Sequence, residues 1–308
     1  MSGRILVIRG GAIGDFILTL PAIKLLREAF PGAHLEIIGY RHIVALAEGR
    51  FYADATRSIE YGPMAGFFAR GGTLSAEMTD YFSNFQQVVS YLFDPDGIFE
   101  ANLRRAGVKN YLGAFAKIDD SHHAAEQLAR PLQSLALFLE DPAAVIFPSA
   151  FDQAVASRFL EGREHPFIAL HPGSGSARKN WPITSWAALG ERLLATRPAH
   201  RLLLVGGEAD HASLRQLAAH FGERAWLAQD LALPHLAAVL AKSAAFLGHD
   251  SGISHLAAAA GARCLLLFGP TDPAVWAPAN RNVSVLRAPG DDLARLTVEA
   301  VLAQAPQM

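Results

Sequence analysis

The stretch ILVIRGGAIGDFILTLPAIKLLREAF, residues 5 to 30, joins an apolar β-branched run to a helical pattern through a glycine-rich loop. Strand, loop and helix in that order open a βαβ unit. The loop does not fit a dinucleotide site. Its glycines fall at Gly10, Gly11 and Gly14, and Ala12 stands where G-x-G-x-x-G needs a glycine for close backbone approach. The next strand pattern, LEIIGY (35 to 40), ends in Gly39 and Tyr40 and not in a ribose-binding acid. Asp15 also argues against pyrophosphate, because a helix start that already carries a carboxylate would set like charge against like. Asp15 reads either as an N-cap or as a carboxylate directed into a cleft. The two are compatible, since a helix end that favours anions would hold the group in place for general-base work. Pro21 interrupts the helical pattern and predicts a kink or restart near Leu20.

Outward from this unit, short β-branched or leucine-rich runs alternate with longer helical patterns, which predicts an α/β class with parallel sheets. In the first half, strands are expected at 5–9, 35–40, 58–61, 88–93 and 111–115, and a long helix over 122–139. Between 62 and 86 the glycines of GPMAGFFARGG predict a loop or broken helix outside the core. The stretch EDPAAVIFPSAFD (140 to 152) lacks periodicity, so the chain is divided there into domains 1–150 and 151–308. In the second half, strands are expected at 167–173, 201–207, 225–229, 244–250, 263–270 and 283–287, with helices in every gap but the last. Four of them run into the polar loops HPGSGSARK, GGEAD, HDSG and GPTDP. Ligands of open α/β sheets bind beyond the carboxyl ends of the strands, so these loops should share the ligand edge. A cleft between two doubly wound halves is the expected place for chemistry.

Composition narrows the function. The chain has 308 residues and is 51% apolar, enough for a substantial core. A formal net charge of −2, with no lysine or arginine run, offers nucleic acid no basic surface. The single cysteine, Cys264, lies in the apolar run CLLLF, which excludes a disulfide framework and a cysteine-rich metal site and favours the cytosol. A strand pattern begins by residue 5, so no signal peptide is expected, and no apolar run approaches the roughly 20 residues of a membrane span.

The densest chemistry lies in GHDSGISHLAAAAG (248 to 261), where a strand delivers Asp250 to the start of a helix. The open amides at Ser251, Gly252 and Ile253 can take a phosphate, and Gly252 lets it approach the backbone. His255, one turn on, shares their face and could donate to a phosphate oxygen, or could simply pack on the sheet. Asp250 reads equally as an N-cap. In HPGSGSARKNWP (171 to 182), Lys179 is the strong cation for a departing phosphate, unless it is only a solvated surface lysine, and Ser174 and Ser176 are hydroxyl donors. Glu208, at the end of the strand before GGEAD, can accept from ribose hydroxyls or an adenine amino group, or serve as a first-turn helix acid.

Three motifs, GAIGDFILTLPAIKLLR, HPGSGSARKNWPITSWAAL and GHDSGISHLAAAAGARCLLLFGPTDPAVWAP, resemble in order and spacing those of the bacterial heptosyltransferases and their relatives, glycosyltransferase family nine. The resemblance implies a GT-B fold of two Rossmann-like domains facing across a cleft, an N-terminal one for the acceptor and a C-terminal one for the nucleotide sugar. It implies inverting sugar transfer from a nucleotide diphosphate donor, ADP-heptose above all, to the lipopolysaccharide inner core or another anionic glycan or glycolipid. Asp15 matches the catalytic base, flanked on the acceptor side by Gly11 and Gly14. Lys179 matches the lysine at the donor phosphate, Asp250, Ser251, Gly252 and His255 match the donor loop, and Glu208 matches an acid near the nucleoside. No metal and no cofactor are implied. A cytoplasmic protein is expected, and peripheral contact with the cytoplasmic face of the inner membrane is compatible with the resemblance.

Other readings compete. Arg70, Arg104, Arg105 and Lys109 are candidates for an anionic acceptor or a solvated helix face. Asp94-Pro95-Asp96 looks like a D-x-D metal motif, but a turn after the preceding strand explains it as well. A nucleotide-sugar epimerase would share the two-domain architecture without an acceptor site. A non-catalytic nucleotide-sugar-binding protein would need no base at Asp15.

Overall fold

The computed structural model describes residues 3–305. These form two compact units, one of residues 3–119 with Ala124–Pro142, the other of Asp120–His123 with 143–305. Each is built on a parallel sheet.

In the N-terminal unit the strands are β1 (Arg4–Ile8), β2 (His34–Gly39), β3 (Ala55–Ser58), β4 (Gln87–Ser90) and β5 (Tyr111–Gly113), in the order β3-β2-β1-β4-β5. β1 is buried along Ile5, Leu6, Val7 and Ile8 because helices cover both faces of a parallel sheet. The order reverses between β1 and β4, and that switch point is where doubly wound sheets bind ligands. Register places Ile8 beside Ser90 and Ser90 beside Gly113, so the carboxyl ends of β1, β4 and β5 are level. The loop that carries Asp15 leaves from this edge. The helix after it, Ile13–Ala29, runs unbroken through Pro21.

In the C-terminal unit the strands are β6 (Phe167–Leu170), β7 (Arg201–Gly206), β8 (Ala225–Gln229), β9 (Ala245–His249), β10 (Cys264–Phe268) and β11 (Val283–Arg287), in the order β11-β10-β9-β6-β7-β8. The switch point lies between β6 and β9. On the helix Ile183–Thr196, Trp186, Leu189 and Leu193 fall at helical spacing on one face and pack with Leu202, Leu204 and Phe221. Burial of each such side chain is worth about 1.5–3 kcal/mol.

The last gap of the second half, expected to hold no helix, contains the one-turn helix Pro273–Trp276, and four further expectations from the sequence are corrected. The third strand is not 58–61 but Ala55–Ser58, an edge strand whose residues are all half-buried. Ile59 instead belongs to the loop that follows and packs against the core. The region 62–86 is broken into a 3-10 helix, Gly62–Phe68, and a helix, Ala76–Ser83, but it is not outside the core. Met64, Phe67, Met78 and Phe82 are fully buried against Leu6 and Ile8. Its glycines serve close backbone approach, since a Cβ on Gly66 would run into the Thr73 carbonyl oxygen. The helix expected over 122–139 shrinks to Ala124–Ala129 and a 3-10 turn, Arg130–Leu135. Pro131 withholds a backbone donor there, and Ala136 ends the segment in the left-handed region at φ 58°. The uninterrupted course of the first helix through Pro21 is the fourth. Residues 141–149 carry no regular element, and Ser149 caps the helix Ala150–Leu160 that follows.

Candidate functional site

In the N-terminal unit, Gly11 turns the chain with φ +94°, a conformation that L side chains rarely adopt. A Cβ there would also meet Asp15 Oδ2 at 2.8 Å. The helix is capped from within. Ala12 occupies the cap position, and its amide donates to Asp15 Oδ2 at 2.8 Å. Asp15 is therefore the third residue of the helix and not its N-cap, and its carboxylate closes back over the first turn. The side chain keeps 42% of its surface exposed.

Beneath it lies Arg9, the residue that follows β1. Its Nε donates to Thr19 Oγ1 at 2.9 Å and its Nη2 to the Asp15 carbonyl at 3.2 Å, while Nη2 lies 3.7 Å from Asp15 Oδ1. Thr19 Oγ1 in turn donates to the Asp15 carbonyl at 2.7 Å. The guanidinium sits over the Tyr91 ring. Burial pushes the Arg9 pKa below its ordinary value, and the charge of Asp15 opposes the shift. Asp15 is thus fixed from both sides and open on the third. The only sequence signal for Arg9 was a charge closing an apolar strand.

In the C-terminal unit, β9 ends at His249 and hands Asp250 to the site. Asp250 Oδ2 accepts from Lys179 Nζ at 2.6 Å and from Thr271 Oγ1 at 2.7 Å, which ties three of the polar loops together. Lys179 is therefore not a free solvated lysine. It has three N–H donors and this bond uses one. Asp250 is not the N-cap: Ser251 is, accepting from the Ser254 amide at 3.3 Å, and Gly252 opens the helix Gly252–Ala259. His255 lies one turn in and is buried to 5% exposure.

The loop bearing Lys179 is anchored by two buried histidines. The Trp181 amide donates to His249 Nε2 at 2.8 Å, so that nitrogen carries no proton and Nδ1–H faces the Gly173 carbonyl at 3.3 Å. Burial pushes the His249 pKa down to about 3. His171 Nδ1 donates to the Val205 carbonyl at 2.9 Å, and burial lowers its pKa also. Trp181 and Trp186 flank this neutral strut.

The remaining expected residues fall as follows. Ser174 spends its hydroxyl inside the loop, on Asn180 Oδ1 at 2.6 Å and the Ser176 carbonyl at 2.8 Å. Ser176 precedes the 3-10 turn Ala177–Lys179, and its carbonyl accepts from the Lys179 amide. Glu208 is exposed at the end of β7 and opens the turn Glu208–Asp210. Gly14 sits in the first turn of the helix after Gly11. Asp94 accepts from the Phe99 and Glu100 amides at 3.1 and 3.0 Å, one bond on each carboxylate oxygen, as a residue of the turn that leads into the helix Ile98–Arg105. Among the described residues no group of three or more His, Cys, Asp or Glu side chains is placed to hold a metal ion. Arg104 pairs with Glu100 at 3.2 Å and also donates to the Lys109 carbonyl, and Arg105 donates to Asn102 Oδ1 at 2.7 Å and to the Gly72 carbonyl at 3.3 Å, so both tie their helix to neighbouring loops, whereas Arg70 and Lys109 are exposed. Thr271 is the other residue that sequence reading missed, although its loop had been singled out. Among the described residues no helix is long and apolar enough to cross a membrane.

Comparison with known proteins follows the same lines. The family model described as glycosyltransferase family 9 (heptosyltransferase) matches residues 109–302. The chain is 27% identical to lipopolysaccharide heptosyltransferase 1 of Escherichia coli O18:K1:H7, over 97% of this chain and 95% of that protein. It is also 27% identical to lipopolysaccharide heptosyltransferase 1 of Pseudomonas aeruginosa, over 88% and 79%. Among solved structures, a glycosyl transferase family 9 protein from Veillonella parvula superposes with a TM-score of 0.80 at 18% identity, over 98% of this chain and 96% of that one. The E. coli ADP-heptose LPS heptosyltransferase II gives 0.78 at 17%, over 98% and 97%. These likenesses show the GT-B fold.

Proposed function

The chain belongs to glycosyltransferase family nine, and on that premise we propose that it transfers a heptose from ADP-heptose to the inner core of lipopolysaccharide, or to a related anionic glycan, with inversion at the anomeric carbon. In this reading the N-terminal unit binds the acceptor and the C-terminal unit the nucleotide sugar. Asp15 takes the proton of the acceptor hydroxyl while that oxygen forms its bond to the anomeric carbon, and the bond to ADP breaks with its electron pair on the β-phosphate. Lys179, steered by Asp250 and Thr271, offers its two remaining N–H donors to the phosphates, and the open helix start at Gly252 adds backbone dipole. With that cation in place the leaving group needs no metal. Glu208 serves the nucleoside side, and Ser176 adds a hydroxyl donor beside Lys179.

The observation that carries this reading is Asp15 itself: an exposed carboxylate clamped by the Ala12 amide above and Arg9 below, at the switch point of its sheet. Incubation with ADP-heptose and a heptose-deficient lipopolysaccharide core tests it. ADP release with an inverted linkage by NMR is expected. A retained linkage, or heptose appearing free with no acceptor turnover, would overturn the mechanism.

A further inference from the structure

Beside the Asp15 loop, at the level carboxyl ends of β4 and β5, lies a pocket of about 210 Å³ that the chemistry above does not use. Its lining includes Phe93, Asp94, Glu100, Tyr111 and Phe115. Phe93 and Phe115 pair with ring centroids 4.9 Å apart, yet remain 69% and 44% exposed. Leu92, also in the lining, reaches to 3.2 Å from where a side chain on Gly10 would begin, so the pocket adjoins the loop that leads to Asp15.

We propose that this pocket is a subsite for one neutral sugar ring of the acceptor, with Phe93 and Phe115 as a stacking platform and Asp94, Glu100 and Tyr111 as its polar wall. The inference rests on the N-terminal unit being the acceptor unit. The apolar C–H face of a pyranose matches an exposed aromatic ring, while its hydroxyls seek carboxylate and phenol oxygens. Asp94 is held rigid by two helix amides, and Arg104 steadies Glu100. Burial raises the Tyr111 pKa against a Ser90 hydrogen bond, and Asp94 and Glu100 raise it further, so the phenol stays a donor. The same carboxylates repel a ring that bears its own carboxylate or phosphate. They equally disfavour an acyl chain, whose entry would strip water from them without a hydrogen bond in return. The pocket is smaller than the roughly 300–1,000 Å³ of sites for drug-sized ligands, which suits one ring. An anionic glycan would therefore present a neutral residue here and keep its charges elsewhere.

Saturation-transfer NMR on the full chain, with the methyl glycosides of glucose, galactose and mannose and with methyl glucuronide as the charged twin, tests the subsite. Transfer to ring protons of at least one neutral glycoside and none to the glucuronide is expected. Phe93→Ala and Phe115→Ala should each weaken it several-fold, up to about tenfold, the size of an aromatic contact of 0.5–1.5 kcal/mol. Asp15→Asn should leave it intact, and ADP affinity should be the same in every variant. No transfer to any neutral glycoside, equal transfer to the glucuronide, or indifference to both phenylalanines would overturn the proposal. So would loss of binding to phosphatidylglycerol vesicles in the two variants without loss of sugar binding. ADP binding that survives such a failure removes the subsite alone, whereas absent ADP binding in the wild-type chain removes the ADP-sugar reading itself.

Discussion

Asp15→Asn separates chemistry from folding more cleanly than any other single change. Asparagine retains an oxygen for the Ala12 amide, which now bonds Asp15 Oδ2 at 2.8 Å, so the first turn loses only the charge contribution at a helix start. That is about 0.3–1 kcal/mol for a partly exposed group. The 3.7 Å approach of Arg9 to Oδ1 adds little, because the carboxylate is 42% exposed and solvent screens it. Against a typical domain stability of about 5–15 kcal/mol, the folded population stays essentially complete. Removing a general base, in contrast, costs about a hundred- to ten-thousand-fold in turnover, or roughly 2.7–5.5 kcal/mol in the barrier. The expected result is a kcat for ADP release lowered within that range, a melting point lowered by a few degrees at most, and an ADP affinity near wild type, because the proposed function assigns the donor to the other unit. A variant keeping more than about a tenth of wild-type kcat would refute the role assigned to Asp15. A parallel collapse of ADP affinity would refute the division of labour between the units.

Lys179→Ala leaves Asp250 with Thr271 alone and should lower both ADP affinity and turnover. Adding Asp250→Ala should restore part of the lost thermal stability, by removing the unpaired carboxylate, but none of the ADP affinity measured by titration calorimetry. Gly11→Ala forces an L side chain to φ +94° and into Asp15 Oδ2, so it should cost about 1–2 kcal/mol in urea unfolding and reduce kcat together with it. His249 is proton-free in the fold down to about pH 3 but protonates near 6.5 when unfolded, so the unfolded chain binds the extra proton in that window. Stability from this residue is complete above pH 6.5 and falls as pH drops toward 3, by up to about 1.4 kcal/mol per pH unit. Urea midpoints measured against pH should show this slope in the wild type and a shallower one in His249→Asn.

The chemistry-bearing loops were legible because glycine and small polar residues mark the ends of apolar strands, and parallel strands bring such loops to one edge. Elements whose sequence serves a local constraint were harder to read. β3 is an edge strand in which Arg57 packs over the Tyr81 ring at 4.4 Å, so its polar text hid it, while the apolar alternation of SIEY imitated a strand just beyond it. The glycines of 62–86 looked like loop punctuation but let two backbone segments touch over buried Met64 and Phe67. Pro131 cut a helix that apolar spacing alone had extended. Within the site, Asp15, Lys179 and Asp250 stood out as charges at loop positions, but their partners did not. Arg9 and Thr271 act through a fold-dependent second contact, which nothing in their local spacing announces. The cap assignments shifted by one to three residues, since Ser251 and Ala12, not Asp250 and Asp15, begin the helices.

Titration calorimetry of the purified chain with ADP, UDP and GDP, each with and without magnesium, tests the central claim most directly. Selective ADP binding that is independent of magnesium and lost in Lys179→Ala is the result expected of a donor site built from Lys179, Asp250 and the helix start at Gly252. Tighter binding of UDP or GDP, or a magnesium requirement, would contradict the ADP-sugar donor and the metal-free handling of its phosphates.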